Sequence, residues 1–227
     1  MPSLKVFVQC PVKLREGFDK CRASIESSDI GTDYELCMQE PGTHITEHFM
    51  ALLRHMSEAK TDLVLRLEDD VEVNRHIVHN LTTWPTIHDP RFKIGWAFDP
   101  AGRTRTIHDH VYERPPSREI WEEDELAYSL AVLMWTRDVM AIHDACAEFY
   151  KTHPGTTAQD LALSRAQHHI GGGLVIHPPS LVEHMLDLPS SLNHPHDKYS
   201  TSMGSFMKDW KRGAPRIDSR GRVVGVQ

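Results

Sequence analysis

The chain has 227 residues, a formal net charge of −7, and 40% apolar and 25% charged residues. That length holds one large α/β domain with its own core, the composition is that of a soluble globular protein, and the acidic balance speaks against wholesale coating by nucleic acid while leaving room for a local basic groove. No stretch approaches the ~18 consecutive apolar residues of a membrane span.

The N-terminal Met-Pro-Ser-Leu-Lys-Val-Phe-Val enters a strand pattern directly, with no signal peptide. Cys10, Cys21, Cys37 and Cys146 are scattered without a Cys-x-x-Cys pair. They read as small buried hydrophobes in a reducing, cytoplasmic compartment rather than a disulfide or zinc framework. The 16 histidines are many for this length and raise the chance that one or two are ligands.

Leu4 to Cys10 is β-branched and apolar, and Pro11 ends it as a first strand. Leu14 to Ser27 spaces Leu14, Phe18, Cys21 and Ile25 as one helical stripe. Tyr34 to Met38 is a second strand, closed by Pro41-Gly42. Thr43 then caps a helix to about Ala59, with Ile45, Phe49, Leu52, Leu53 and Met56 on one face. Leu63 opens a third strand that runs into Glu68, Asp69 and Asp70. Strand, helix, strand, helix, strand is the grammar of a doubly wound sheet.

Asn74 caps a short helix through Leu81, which Pro85 stops, and Phe92 to Phe98 is a further strand. Asp99 to Ile120 has no periodicity and reads as a long loop, the kind that serves as lid or binding segment. Ala127 to Trp135 is a buried strand, followed by a helix from Arg137 to Tyr150. Thr156 or Thr157 caps a helix to about His169, with Asp160 in its first turn, where the helix dipole favours a carboxylate. Gly171-Gly172-Gly173 ends that helix. Leu174 to His177 and Ser180 to Glu183 read as one short strand broken by Pro178-Pro179, and from Met185 the chain is mostly loop.

The acidic triplet organises this pattern. An apolar run entering three adjacent carboxylates is a buried strand whose tip carries charge. Like charges side by side are costly to desolvate unless water, a cation or a hydroxyl-rich ligand answers them. In open α/β sheets the carboxyl ends of strands are where ligands bind. Arg66, inside the apolar strand, needs a partner of its own, either a ligand or a buried carboxylate.

Leu-Glu-Asp-Asp at a strand end resembles the Glu-Asp-Asp version of the Asp-x-Asp motif in glycosyltransferases of the GT-A fold. Pro179 to His184, followed by Ser190-Ser191-Leu192, resembles the closing motif of N-acetylglucosaminyltransferases and related inverting enzymes. Ala158-Gln159-Asp160-Leu161 sits where such enzymes carry a catalytic acid at a helix start. The arrangement is also similar to phage-type enzymes that glycosylate modified bases.

The resemblance implies a single α/β GT-A (Rossmann-like) domain over 1–227, with a mostly parallel central sheet flanked by helices. Residues 1–84 would be the nucleotide-sugar-binding half, 85–200 the acceptor-binding half, and 201–227 a basic C-terminal tail. It implies Mn²⁺ or Mg²⁺ held by Asp70 and His184, with His194 and His196 as weaker candidates. Asp69 would approach metal or ribose, and Glu68 the donor sugar. Gln9, Pro11, Arg66, Ser190 and Ser191 would complete a donor site for UDP-glucose or UDP-N-acetylglucosamine. Asp160 would be the general base of an inverting displacement.

The acceptor is the part the residues describe least. A hydroxyl on a glycan, lipid or small metabolite is one option, and a hydroxymethylated base in DNA is the other. For the latter, Arg103, Arg105, Arg114 and Arg118 with Tyr112 and Trp121 would steady a displaced base. Lys208, Lys211, Arg212, Arg216, Arg220 and Arg222 beside Trp210 would form a second basic zone. A metal-dependent phosphoesterase and a non-catalytic sugar-binding module are the alternative classes.

Overall fold

The computed structural model describes residues 1–13, 18–98, 120–121, 129–177, 179–185, 206–217 and 223–226. Its main sheet has β3, Leu63–Glu68, as an inner strand, with β1, Leu4–Cys10, parallel on one side and β7, Ala131–Trp135, antiparallel on the other. Outward from β1 lies β2, Tyr34–Met38, also parallel. Beyond β7 come β5, Ile94–Trp96, then β8, Leu174–Ile176, then β6, Ile120–Trp121. In this seven-stranded order five strands run one way, and β7 and β6 run against them. The α/β class and the mostly parallel sheet flanked by helices are as the sequence leads one to expect.

Alternation along β3 divides the core in two. Leu63, Leu65 and Leu67 pack with Phe18, Cys21 and Ile25 of α1, Phe18–Glu26, and with Ile77 and Leu81 of α3, Ile77–Thr82. Val64 packs with Phe49, Leu52, Leu53 and Met56 of α2, Ile45–Ser57. The same core takes in α4, Val139–Thr152, and α5, Gln159–His169. A strand buried on both faces contributes about 2 kcal/mol per fully buried leucine, which anchors its tip. Arg66 stands where the next apolar residue of the α2 face would be, with its guanidinium carbon 5.5 Å from the Phe49 ring centroid.

Several helix starts differ from the sequence expectation. The helix drawn from Thr43 begins at Ile45, and His44 caps it, its ring accepting the Thr46 N–H while Glu47 accepts the His44 N–H. Asn74 stands before its helix, and His76 takes the cap position. The exposed N–H groups of Val78 and His79 go instead to the Asp29 carboxylate. Ala158, not a threonine, occupies the cap of α5, and Thr156 accepts the Ala158 N–H just outside it. Residues 14–17 lie outside the described residues, and α1 begins at Phe18.

The expected strand broken by two prolines is two strands of different sheets. β8 belongs to the main sheet, whereas β9, Val182–His184, pairs antiparallel with β4, Val71–Val73, in a separate ribbon. Pro179 has no N–H for the ladder, and the Ser180 hydroxyl donates to the Val182 carbonyl, so the chain turns out of the main sheet.

The C-terminal stretch is also more than loop. β10, Pro215–Ile217, and β11, Val223–Val226, form an antiparallel pair. Ahead of them the chain docks on α3. The Asn74 amide donates to the Met207 and Trp210 carbonyls, and Asn80 donates to the Trp210 carbonyl and accepts the Arg212 N–H. Among the described residues no helix is long and apolar enough to cross a membrane.

Candidate functional site

β3 ends at Glu68, and Asp69 and Asp70 form the turn into β4. Both aspartates are 2% exposed. A solvated acidic turn would leave them in water; this turn holds them inside the protein, which is tolerable only with specific partners. The β4–β9 ribbon supplies one. Its register sets Val71 opposite His184, the Met185 N–H donates to the Asp70 carbonyl, and His184 Nε2 lies 3.1 Å from Asp70 Oδ2. Both side chains are buried, at 8% and 3% exposure.

Glu68 faces the other way. Its side chain is 28% exposed and its Oε1 accepts from Arg66 Nη2 at 3.1 Å and from the Ser129 hydroxyl at 3.3 Å. The Glu68 N–H donates to the Leu130 carbonyl, which binds the tip of β3 to the chain entering β7. Gln9, one strand over, is in register with Glu68, is buried, and accepts from Arg66 Nε at 2.6 Å. Pro11 follows directly at the end of β1, half-buried.

Arg66 joins these pieces to α5. Its Nη2 also donates to the Gln159 side-chain oxygen at 2.7 Å. Gln159 is the first residue of α5 and Asp160 the second. Asp160 is half-buried, and its Oδ1 accepts the Leu161 N–H at 2.8 Å, one of the free donors of the first turn. The Tyr150 hydroxyl is buried near Arg66 and Asp160, and burial raises its pKa above the ordinary phenol value. Burial, with Arg66 adding to it, lowers the His48 pKa on α2. Tyr150 on α4 and His48 on α2 are thus both shifted toward their neutral forms near Arg66.

Asp70 and His184 thus meet, and Gln9, Arg66 and Glu68 form one bonded group reaching the start of the helix that carries Asp160. Ser190, Ser191, Arg103, Arg105, Arg114, Arg118, Tyr112, His194 and His196 lie outside the described residues. Trp121 is known by its backbone alone, on β6 at the far edge of the sheet, in register with Leu174.

The second basic zone is different from its appearance in the sequence. Lys208 pairs with Glu72. Arg212 lies over Trp210, its Nη2 3.1 Å from His177 Nε2. Lys208 and Arg212 thus have partners within the fold, Arg216 is known by its backbone alone, and Arg220 and Arg222 lie outside the described residues. His177 is fully buried between Trp84 and Trp210, with ring centroids at 4.8 and 5.5 Å, and its Nδ1 donates to the Pro179 carbonyl. Burial, with Arg212 beside it, lowers its pKa to about 3.

Ser129 and Gln159 are the members of this site that sequence reasoning did not single out. The signal was Arg66 itself: a guanidinium in a core strand demands five acceptors. Which residues supply them is not written near it in the chain.

No protein-family model and no curated protein matches the sequence. Among solved structures, a crystal structure of an active-site mutant of LgtC is similar, at 13% identity and a TM-score of 0.43, over 77% of this chain and 72% of that one. A likeness at that TM-score carries no argument about activity.

Proposed function

We propose that this protein is a metal-dependent glycosyltransferase that moves a sugar from a nucleoside-diphosphate donor to an acceptor hydroxyl with inversion. The observation that carries it is the buried Asp69–Asp70 turn at the tip of β3, with His184 brought against Asp70. Asp70 and His184 would hold Mn²⁺ or Mg²⁺. Their facing atoms stand 3.1 Å apart, about the spacing of neighbouring ligand atoms on an octahedral ion with bonds of about 2.1 Å. Such ions take one or two side chains and complete their shell with phosphate oxygens and water. When bound, the ion would neutralise charge building on the diphosphate leaving group.

The rest falls to the chain's own carboxylates. Asp160 takes the proton from the acceptor hydroxyl, and that oxygen bonds to the anomeric carbon. The bond from that carbon to the diphosphate oxygen breaks, and its electron pair leaves with the diphosphate. Glu68, whose side chain is 28% exposed, would accept hydrogen bonds from donor-sugar hydroxyls. Asp69 would serve metal or ribose, and Gln9 and Pro11 would border the base. UDP-glucose and UDP-N-acetylglucosamine are the donors to try first. The acceptor is a hydroxyl of a glycan, a small molecule or a hydroxymethylated DNA base.

A thermal-shift panel of nucleoside diphosphates with and without Mn²⁺ tests this. Stabilisation by UDP only when metal is present is expected, since a ligand that binds only the folded state raises its melting point. No stabilisation by any nucleotide with metal overturns it. Hydrolysis of a phosphate ester without sugar transfer points to a phosphoesterase. Sugar binding without either reaction points to a binding module.

A further inference from the structure

Arg66 is 1% exposed, and an arginine has five N–H donors. All five are spent within the protein. Nε donates to Gln9 Oε1 at 2.6 Å, and Nη1 to the Ser129 carbonyl at 2.7 Å and hydroxyl at 3.2 Å. Nη2 donates to Glu68 Oε1 at 3.1 Å and Gln159 Oε1 at 2.7 Å. Any contact with a donor nucleotide would have to break one of these bonds.

The acceptors come from four separate pieces of chain: the end of β1, the approach to β7, the tip of β3 and the first turn of α5. Burying a guanidinium is repaid only where every donor is met and one partner is charged, as Glu68 is. We infer that Arg66 is a positioning residue: its planar fork sets the spacing between the acidic turn after β3 and Asp160 at the start of α5. This rests on the transferase proposal for that site. Gln159, adjacent to Asp160, is the link through which the spacing is transmitted. Displacing a reacting group by about 1 Å is enough to cost roughly 10²-fold in rate. Lysine keeps the charge but not the fork, so it cannot replace arginine here.

Two variants test it. Gln159→Leu cuts the tie to α5 and leaves Arg66 its other acceptors; Arg66→Lys removes the fork. The expected result for Gln159→Leu is unchanged Mn²⁺-dependent UDP binding and unchanged donor KM, with kcat down by about 10-fold or more. Arg66→Lys should lose more kcat. Faster hydrogen exchange at the Ala162 and Leu163 amides of Gln159→Leu, with β3 amides unchanged, is expected alongside. A raised donor KM in Arg66→Lys with wild-type kcat in Gln159→Leu would make Arg66 a ligand contact and overturn the inference. Unchanged exchange in α5 overturns it whether or not a donor is found. Wild-type protein without metal-dependent nucleotide binding or transfer refutes the transferase proposal alone, and the exchange measurement then decides on the clamp.

Discussion

His184 Nε2 and Asp70 Oδ2 are 114 residues apart in sequence and 3.1 Å apart in space. The contact follows from the β4–β9 register, which puts Val71 opposite His184 and turns the neighbouring aspartate toward the imidazole. Under the transferase proposal, this carboxylate and imidazole would be the protein's ligands to a divalent cation that also takes phosphate oxygens.

His184→Ala and Asp70→Ala should each remove the metal-dependent part of nucleotide binding. The expected loss is about 10-fold or more in Mn²⁺ affinity, measured by calorimetry with UDP present. Chelation of divalent ions should abolish transfer in the wild type, and transfer that survives chelation would contradict the metal role.

Asp160→Asn should lower transfer by about 10²–10⁴-fold, the range for removing a general base, while nucleotide binding persists. Asparagine still accepts the Leu161 N–H, so the helix start stays intact. Near-normal turnover in this variant would take Asp160 out of the mechanism.

His177 gives the fold a dependence on acid. Its folded pKa is lowered to about 3, below the ordinary 6.5, by burial and by Arg212. The unfolded chain therefore binds the extra proton first. The stability this neutral ring contributes is complete above about pH 6.5 and is lost as pH falls from there toward 3, by about 1.4 kcal/mol per unit at most. Urea midpoints from pH 7 to pH 4 should fall more steeply in wild type than in His177→Gln. Equal slopes would show that His177 does not carry this loss.

The docking of the C-terminal segment rests on Asn80, which is 0% exposed. Its amide donates to Asn74 Oδ1 and the Trp210 carbonyl, and its oxygen accepts the Arg212 N–H. Asn80→Leu leaves the Arg212 N–H without its acceptor, while the Asn74 amide still donates to the Trp210 carbonyl and the His76 N–H still donates to Asn74 Oδ1, and should destabilise the protein by about 1–3 kcal/mol. Trp210 should become more exposed to a fluorescence quencher in the folded protein. Unchanged quenching would mean that the segment is held by other contacts.

Much of the architecture is readable along the chain. β1 and β2 lie at the bounds the apolar runs suggest, and Phe49, Leu52, Leu53 and Met56 bury the α2 stripe their spacing describes. Helix starts are less legible, because His44, His76 and Ala158 occupy the cap sites and Asp29 takes the first N–H groups of α3 from outside it. Asp29 is the clearest case: it reaches Val78 and His79 from 49 and 50 residues away, and no local pattern records that.

The sequence by itself determined the run of strands and helices from β1 to β3, and that a charged triplet ends β3. Periodicity and apolar runs act between neighbours within a turn or a pleat. Only the tertiary structure decided that Asp69 and Asp70 are buried, that His184 meets Asp70, that Arg66 spends its five donors on β1, β3, the approach to β7 and α5, and that the basic Arg212 serves His177. Each of these depends on strand order and ladder register. A one-residue slip in either sheet would turn the same side chains to the opposite face.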